Sequence, residues 1–461
     1  MALSYKVIFV GGGPGGYVGA IRAAQLGASV ALVEKDEVGG TCLNRGCIPT
    51  KALAAGAEAL HTVRRAQDFG IETGEVRVDF TRLMERKQQV VSRLVQGVQF
   101  LLKKNKVDLI KGTARLTAPG RVEVTAADGT VSELEAENIV LATGTEPALI
   151  GALGYDGERV ITSNEALQLA EIPRRLLIIG GGVIGCEFAC IFNALGAQVT
   201  VVEMMPAILP MVDREASRQM QSLLKRQGIT VKTKVKIEQV RKTEQEVTAV
   251  LADGQEIAAD RILISIGRVM NTAGLGLETV GVTVGARGEV PVDGRMRTGV
   301  PGIYAVGDIT GRIQLAHVAS AQALVAVDNI MGRDREMDYR VVPACIFTHP
   351  EVASVGLTAQ EAEARGIKVK AGKFPLLASG KAQAMGETEG FVKVLADAES
   401  DRVLGVHIIG AHATDLIAEA AVAIQLNATV KQLAETIHAH PTLAEAVMEA
   451  AEAVHGLSIH M

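Results

Sequence analysis

The same glycine-rich pattern occurs twice in this sequence, and the repeat constrains the fold more than any other feature. A β-branched run from Lys6 to Val10 precedes the first copy, and the apolar run from Leu176 to Ile179 precedes the second. Each copy has the order strand, GxGxxG, helix, strand and acid, which predicts a parallel sheet that binds a dinucleotide. The two copies match at one constant offset of 169 residues (180 − 11): Gly11, Gly13, Gly16, Gly27 and Glu34 in the first, and Gly180, Gly182, Gly185, Gly196 and Glu203 in the second.

Each position of this fingerprint has a physical role in holding a dinucleotide. Gly11 permits a tight turn, Gly13 lets the backbone approach a pyrophosphate, and Gly16 allows the helix to pack closely on the strand. The amino terminus of the helix meets the phosphate charge, and we expect Glu34 to accept hydrogen bonds from an adenosine ribose. Two intact copies predict two dinucleotide cofactors, with a duplicated domain that kept one inactive site as the alternative. The second copy offers Gly180, Gly182, Gly185 and Glu203 for the same roles.

The rest of the chain is arranged around the two copies. Each copy is followed by a β-rich stretch with an Asp-Gly turn, then by an apolar strand and a glycine turn, and the first of these closing turns contains Thr143 and Gly144. The residues from Thr81 to Lys104 predict a long amphipathic helix. We therefore expect an α/β protein with a Rossmann-like domain over residues 1–147, a second one over residues 148–273, a central β-rich segment over residues 274–341 and a carboxyl-terminal α+β domain over residues 342–461.

Two cysteines, Cys42 and Cys47, lie between the fingerprints and are bracketed by glycines. Pro49 indicates the boundary of a helix that runs from Lys51 to about Leu60. Both sulfurs would then lie just before or within its first turn, where the helix dipole favours a thiolate. Two nearby thiols can alternate between a dithiol and a disulfide through a mixed disulfide. The pair predicts redox chemistry, although a structural disulfide or two unreactive buried thiols would show the same spacing.

Composition narrows the class of function. The 461 residues carry a net charge of −5, so nothing in the charge balance indicates nucleic acid or an anionic membrane as a partner. No apolar run reaches the ~18 residues of a transmembrane helix. Met1 to Val10 shows no basic leader or cleavage site. Five cysteines are an odd and sparse set, which argues against a secreted disulfide scaffold. We expect a soluble, cytoplasmic protein.

The carboxyl-terminal half carries two further candidate groups. A strand that ends in Gly307-Asp308 can present a carboxylate to a sugar-alcohol hydroxyl, although a turn or cap is the plainer role for this aspartate. Near the end of the chain lies His440, followed by Pro441, and an imidazole there can act as a general acid or base near neutral pH. Glu445 could orient this imidazole, or it could complete a capping box with Thr442 for the last helix.

Together, the two fingerprints, the Cys-x4-Cys between them and the terminal His-Pro-Thr segment resemble the flavin-dependent pyridine nucleotide–disulfide oxidoreductases. The similarity extends along essentially the whole chain in the same order. It implies FAD on the first fingerprint, NAD on the second, and an obligate homodimer in which the terminal domain of one subunit completes the active site of the other. The segments GGTCLNRGCIPTKAL and HAHPTLAEA are most similar to members that oxidise dihydrolipoamide on a protein arm, which serve 2-oxo-acid dehydrogenase complexes or glycine cleavage.

The resemblance also implies a role for each candidate residue. Cys47 would lie against the flavin, and Cys42 would exchange with the substrate sulfur. His440 would be the acid–base catalyst, delivered across the dimer, and Glu445 would orient it. The remaining candidates would bind or tune the cofactors: Asp308 at the ribityl chain, Lys51 near the reactive flavin nitrogen in a pair with Glu187, and Thr143 and Gly144 in the closing turn of the first domain.

Glu203 favours NAD over NADP. A carboxylate accepts a hydrogen bond from a ribose 2′-hydroxyl but repels a 2′-phosphate, and the following residues, Met204 and Met205, offer no arginine for that phosphate. This preference argues against the nearest rival, a disulfide reductase of the glutathione type that uses NADPH. Two more distant rivals are a scaffold subunit with vestigial nucleotide sites and a flavin oxidase or peroxidase that needs one cysteine.

Several other residues stand out in the sequence. Arg45 lies inside the thiol loop, where the family pattern has a small apolar residue, and it could bias the thiol pKa or point at solvent. Cys345 lies where the family often places an aromatic residue. Cys186 and Cys190 are one helical turn apart, and we predict that both are buried small hydrophobic residues.

Overall fold

The computed structural model describes residues 3–243 and 246–461. Met1 and Ala2, which belong to the segment considered for a leader, lie outside the described residues. Among the helices of the described ranges, none is both long enough and apolar enough to cross a bilayer. The chain forms two compact units: the first contains Met1–Leu53, Thr81–Ala148 and Gly267–Asp338, and the second contains Ala54–Phe80, Leu149–Ile266 and Tyr339–Met461. The four predicted domain boundaries stay a prediction.

A parallel sheet forms the centre of the first unit. Strand Leu3–Val10 pairs in parallel with Val30–Glu34 on one side and with Val131–Leu141 on the other. Asp108–Lys111 extends the sheet beyond Val30–Glu34, and Ile303–Ala305 pairs with Val131–Leu141. The paired segments 7–10, 30–34 and 139–141 are buried, as in parallel sheets that helices cover on both faces. An antiparallel layer is formed by the first half of Val131–Leu141 with the strands Arg121–Thr125 and Thr113–Ala118. The helices that accompany these strands are Pro14–Gln25, Gly40–Arg45, Phe80–Lys104 and Ala316–Ile330.

A second parallel sheet repeats this arrangement in the second unit. Arg175–Ile179 lies between Gln198–Glu203 and Arg261–Ile264, with Thr230–Thr233 and Val160–Ile161 at the edges. The helix that follows the second glycine turn is Val183–Ala194, and its buried residues include Cys186 and Cys190, as predicted. The remaining elements of this part are the antiparallel strands Ile237–Lys242, Val247–Leu251 and Glu256–Ala259, and the helices Ser163–Ala166 and Arg214–Arg226.

The carboxyl-terminal part of the second unit is built on an antiparallel sheet. Its five strands have the order Ala344–Ile346, Glu351–Gly356, Val403–Gly410, Phe391–Asp397 and Val369–Pro375. Alternating valine and isoleucine side chains from this sheet share a core with the last helices. The helices are Ala359–Ala364, Gly380–Met385, Ala413–Gln425, Val430–Glu435 and Glu445–Val454.

The elements predicted from the sequence are found with small shifts at their ends, except that the helix predicted from Lys51 begins at Cys47. The helix predicted over Thr81 to Lys104 spans Phe80–Lys104. The predicted segment 274–341 contributes the strand Ile303–Ala305 and the helix Ala316–Ile330 to the first unit. A two-stranded antiparallel pair, Thr145–Pro147 with Arg268–Met270, lies in the same unit. Single turns of 3₁₀ helix complete the fold at Ala66–Phe69, Gly151–Leu153, Glu278–Val280, Gly307–Thr310 and Leu376–Ala378.

Candidate functional site

The first fingerprint turn is closed by main-chain contacts that only glycine permits. Gly11 has a φ of +103°, and a Cβ atom there would lie 2.5 Å from Ala142 O. A Cβ atom on Gly16 would lie 1.8 Å from Gly11 O. Gly13 differs, because a Cβ atom there would meet only Gly40 Cα, at 3.9 Å. Two of the glycines therefore shape the turn, and the third leaves a cradle at the amino terminus of the helix that an added side chain would fill.

The second fingerprint turn has the same design. A Cβ atom on Gly180 would lie 2.3 Å from Ser265 O, and one on Gly185 would lie 2.0 Å from Gly180 O. A Cβ atom on Gly182 would meet no atom within 4 Å. Ser265 fixes the turn through its hydroxyl, which is 3.0 Å from both Ile179 O and Gly180 O. Both turns thus fit a phosphate group that approaches the helix amino terminus.

The acids that end the second strand of each copy are held in matching ways. Glu34 accepts hydrogen bonds from the main-chain N–H groups of Gly12, at 2.6 Å, and Asp36, at 2.7 Å. Glu203 accepts them from Gly181, at 2.7 Å, and from Met205, at 2.6 Å. Each carboxylate has about four lone-pair positions, so these bonds orient it and leave capacity for ribose hydroxyls. The geometry fits an adenine dinucleotide at both turns.

The two thiols of the first unit lie on separate helices. Cys42 belongs to the short helix Gly40–Arg45, and Cys47 is the first residue of Cys47–Arg64, which we call the thiol helix. The prediction that this helix begins after Pro49 was wrong. Because the first four N–H groups of a helix have no partner within it, a proline at the third position costs no hydrogen bond.

The thiols of Cys42 and Cys47 are hydrogen-bonded to each other. This bond, together with burial and the negative charge of Cys47, raises the pKa of the Cys42 thiol. The positive charge of the Lys51 ammonium lowers the pKa of Cys42, but by less than the other effects raise it. The expectation that the helix dipole favours a thiolate stays a prediction. Arg45 forms an ion pair with Asp36, a partner that the sequence did not reveal.

Asp308 lies in a partly buried chain of polar side chains in the first unit. Thr145 Oγ1 donates to Asp308 Oδ2 at 2.8 Å, and Arg268 Nε donates to Thr145 Oγ1 at 2.6 Å. Burial lowers the pKa of the Arg268 guanidinium, against the negative charges of Asp308, Glu146 and Cys47, which act to raise it. The half-buried Arg268 guanidinium thus lies within electrostatic range of both the Asp308 carboxylate and the Cys47 sulfur. Sequence reasoning missed Arg268, whose only signal was its place directly after the closing glycine turn.

The turn that contains Thr143 and Gly144 is fixed by Asn271. Thr143 Oγ1 donates to Asn271 O at 2.8 Å, and Asn271 Nδ2 donates to Thr143 O at 3.0 Å. The main-chain N–H of Asn271 donates to Gly144 O at 3.0 Å. These three hydrogen bonds fix the turn at the end of strand Val131–Leu141. Ligands of doubly wound sheets bind at this end of the strands.

His440 and Glu445 form a hydrogen-bonded pair in the second unit. His440 Nδ1 and Glu445 Oε1 are 2.9 Å apart, and the His440 side chain is 78% exposed. Glu445 Oε2 also accepts from the main-chain N–H of Thr442 at 2.8 Å. Burial acts against ionisation of Glu445, but the bonds from Thr442 and His440 prevail and lower the pKa of its carboxyl. Glu445 thus makes one of the two bonds of the capping box considered for Thr442, whereas the Thr442 hydroxyl donates to Ala439 O at 2.8 Å.

Glu187, His438 and Cys345 each have other partners in the second unit. Glu187 is buried on the helix Val183–Ala194, and its Oε1 accepts from the main-chain N–H of Phe347 at 2.9 Å. Its predicted pairing with Lys51 stays a prediction. His438 contacts Glu419 Oε1 at 2.7 Å. Cys345 Sγ lies 3.8 Å from Thr414 O and packs against the terminal core.

These features define the class of protein. Two glycine turns, a hydrogen-bonded thiol pair and a terminal His–Glu pair occur in a chain that belongs to the pyridine nucleotide-disulphide oxidoreductases: the family model matches residues 5–323, and the model of the family's dimerisation domain matches residues 342–451. The predicted family, the α/β fold class and the cofactors FAD and NAD are confirmed by this membership.

The chain is similar to several named proteins over its full length. It is 45% identical to a dihydrolipoyl dehydrogenase of Bacillus subtilis, with 100% of each chain covered. It is also 45% identical to the dihydrolipoyl dehydrogenase of Thermus scotoductus, with 99% of each covered. Among solved structures, LpdA of Mycobacterium tuberculosis matches with a TM-score of 0.92 and 31% identity, covering 98% of this chain and 99% of that one.

Proposed function

We propose that this chain is an FAD-dependent dihydrolipoyl dehydrogenase, which oxidises protein-bound dihydrolipoamide to lipoamide and reduces NAD⁺ to NADH. The observation that carries the proposal is the hydrogen-bonded pair of Cys42 and Cys47. It lies between two intact dinucleotide fingerprints, in a chain 45% identical to proteins that bear this name.

The cofactor roles follow from the two glycine turns. FAD is assigned to the first turn and NAD to the second, where Glu203, Met204 and Met205 favour a 2′-hydroxyl over a 2′-phosphate. When bound, FAD supplies the relay that takes an electron pair from the reduced thiols and passes it to NAD⁺ as hydride. The residues that would hold or tune FAD are Gly11, Gly13, Gly16, Glu34, Thr143, Gly144, Asp308 and Lys51 with its proposed partner Glu187. Those that would hold NAD are Gly180, Gly182, Gly185 and Glu203.

The thiol pair carries out the exchange with substrate. One substrate thiolate attacks Cys42 Sγ of the Cys42–Cys47 disulfide, which forms a mixed disulfide and releases Cys47 as a thiolate. The second substrate thiolate then attacks the substrate sulfur of that mixed disulfide, so lipoamide forms and Cys42 leaves. The substrate loses two electrons and two protons, and the enzyme gains the electrons in its dithiol. The raised pKa of Cys42 supports this order, because the departing sulfur takes up a proton.

His440 and Glu445 are assigned to proton transfer. The nucleophile is the thiolate, so a base must remove the substrate proton near neutral pH. Glu445 accepts the Nδ1–H of His440, which leaves Nε2 as the nitrogen that takes the proton. Because hydrogen bonds lower the pKa of Glu445, its carboxylate stays ionised and stabilises the imidazolium that forms.

A homodimer and a cytoplasmic location complete the proposal. The dimerisation-domain match includes His440, whose side chain is 78% exposed in the single chain, as expected of a group that acts on another subunit. The partner would be a lipoyl arm on an acyltransferase or glycine-cleavage carrier protein. A sparse, odd set of five cysteines favours a reducing compartment.

Steady-state kinetics test the substrate and cofactor together. The purified holoenzyme is assayed with dihydrolipoamide and NAD⁺, with the same thiol and NADP⁺, and with glutathione disulfide and NADPH. We expect turnover with the first pair at least about a hundredfold faster than with either of the others, because the binding energies of correct and incorrect cofactors differ by several kcal/mol. Turnover with glutathione disulfide and NADPH alone would replace the proposed function by that of a glutathione-type reductase.

Two glycines of the second turn give opposite predictions. In Gly182→Ala the new methyl group meets no protein atom, so we expect an unchanged thermal unfolding temperature. It intrudes where the backbone must approach a pyrophosphate, so the KM for NAD⁺ should rise at least about tenfold. In Gly185→Ala the methyl group lies 2.0 Å from Gly180 O, which should lower the free energy of unfolding by about 1–3 kcal/mol. Equal effects of the two changes on unfolding would contradict the assigned roles.

A further inference from the structure

Three metal-ligating side chains meet in the second unit, apart from the residues assigned to the reaction. They are His61, His349 and Glu387, and their ligating atoms all lie within 4.8 Å of one another. His61 is on the thiol helix, about four turns after Cys47. His349 follows strand Ala344–Ile346, and Glu387 follows helix Gly380–Met385. Three separate elements therefore bring two imidazoles and a carboxylate to one half-buried point.

The spacing of these atoms approaches that of a tetrahedral metal site. His61 Nε2 and His349 Nε2 are 3.1 Å apart, and His61 Nε2 and Glu387 Oε1 are 3.8 Å apart. Zinc bonds of ~2.0–2.2 Å to nitrogen and oxygen place tetrahedral ligand atoms ~3.3–3.5 Å from each other. The two rings are inclined by 56°, with their centroids 4.1 Å apart, and the 3.1 Å between their Nε2 atoms is a hydrogen-bond distance that a bound ion would replace. Small side-chain shifts would bring the three atoms to bonding distance from one ion.

Arg65 is the cation that competes for this position. Its Nη1 donates to Glu387 Oε1 and lies 3.4 Å from His61 Nε2. It has two further partners, Gly386 O at 2.9 Å and Asp68 Oδ2 at 3.2 Å. Arg65 can therefore release Glu387 and remain bound at Gly386 and Asp68. A guanidinium so close to the site weakens the binding of a second cation by electrostatic repulsion.

We propose that His61, His349 and Glu387 bind one divalent transition-metal ion, with Zn²⁺ as the best fit, and that Arg65 limits its affinity. Two imidazoles and one carboxylate suit zinc and its neighbours, whereas magnesium and calcium prefer oxygen ligands alone. The fourth position is taken by water. Gln227 supports the site, because its Nε2 donates to His349 O at 2.6 Å and fixes the main chain that carries the imidazole. The site takes no part in the proposed reaction.

A competition titration tests the site on the holoenzyme. The enzyme is stripped with a chelator and kept oxidised, so that Cys42 and Cys47 are closed as a disulfide and offer no thiolate to the metal. Zn²⁺ is then added in competition with a chromophoric zinc indicator. We expect one Zn²⁺ per chain, and an affinity reduced at least about tenfold in each of His61→Gln, His349→Gln and Glu387→Gln. In Arg65→Gln we expect an affinity increased about tenfold, because the competing charge is removed.

The control is His412→Asn, which removes an exposed histidine outside the cluster and should leave zinc binding unchanged. The higher zinc affinity expected of Arg65→Gln cannot be explained by misfolding, since a misfolded protein would bind zinc less tightly. The proposal is overturned if the wild-type enzyme binds less than one Zn²⁺ per chain under these conditions. It is equally overturned if the three ligand variants bind like the wild type, or if Arg65→Gln weakens binding.

Discussion

Cys42→Ser is expected to lower the rate of dihydrolipoamide oxidation by at least about a thousandfold, the scale of loss seen when an enzyme loses its nucleophile. A serine oxygen cannot form the mixed disulfide through which the substrate sulfur exchanges. Transfer of electrons from NADH to a small artificial acceptor should remain within about threefold of the wild type, since that half of the reaction does not use the thiols. Both rates are measured on the same preparation with its flavin content determined.

Cys345→Ser serves as the matched control for this change. Cys345 is a half-buried thiol in the second unit, beside Thr414 and far in sequence from the redox pair, so both rates should stay close to the wild type. A flavin oxidase or peroxidase that needs one cysteine predicts the opposite pattern for Cys42→Ser. Retention of dihydrolipoamide oxidation in Cys42→Ser would therefore exclude the proposed exchange and favour an oxidase or peroxidase of that kind.

His440→Gln is expected to slow dihydrolipoamide oxidation by about 10²–10⁴-fold, the usual contribution of a positioned acid–base group. Without the imidazole, the reaction depends on spontaneous ionisation of the substrate thiol, so the remaining activity should increase as the pH rises. The pH profile of the wild type should be flatter over the same range. Steady-state rates between pH 6 and pH 9 measure both effects, and an unchanged rate or profile would remove His440 from the mechanism.

Variants of two residues near His440 distinguish a catalytic role from a structural one. Glu445→Gln should cause a smaller loss, about tenfold to a hundredfold, because the amide keeps a hydrogen-bond acceptor near His440 Nδ1 but cannot stabilise an imidazolium by charge. The lowered pKa of the Glu445 carboxyl means that the wild type keeps this charge throughout the range in which the enzyme works. His438→Gln changes an imidazole two residues away, held by Glu419, and should leave the rate within about twofold.

Local pattern was sufficient to predict most of the fold and the outline of the site. The two fingerprints combine strand, glycine turn, helix and acid within about thirty residues, so the steric demands at Gly11 and Gly16 can be read from sequence. The hydrogen bond between His440 and Glu445 spans five residues, but the residues alone left it open beside a capping box, and the family resemblance was needed to predict it. The start of the thiol helix was not, because a proline in the first turn is compatible with two boundaries.

Contacts between residues distant in sequence could not be predicted from local sequence patterns. Arg268 contacts Thr145, the partner of Asp308, only because two short strands pair, and the sequence around Arg268 does not predict that pairing. The metal-ligating cluster likewise brings His61 to His349, which lies 288 residues later in the chain, and to Glu387. Such juxtapositions depend on tertiary packing, and a lone histidine on a helix gives no indication of its partners.

The most direct test of the central claim is an anaerobic reductive titration of the holoenzyme with dithionite. If the Cys42–Cys47 pair stores electrons in addition to the flavin, the enzyme should accept two electron pairs per bound flavin. After the first pair, a long-wavelength absorbance band from a thiolate beside the flavin should appear. Uptake of a single electron pair per flavin, with no such band, would contradict the account.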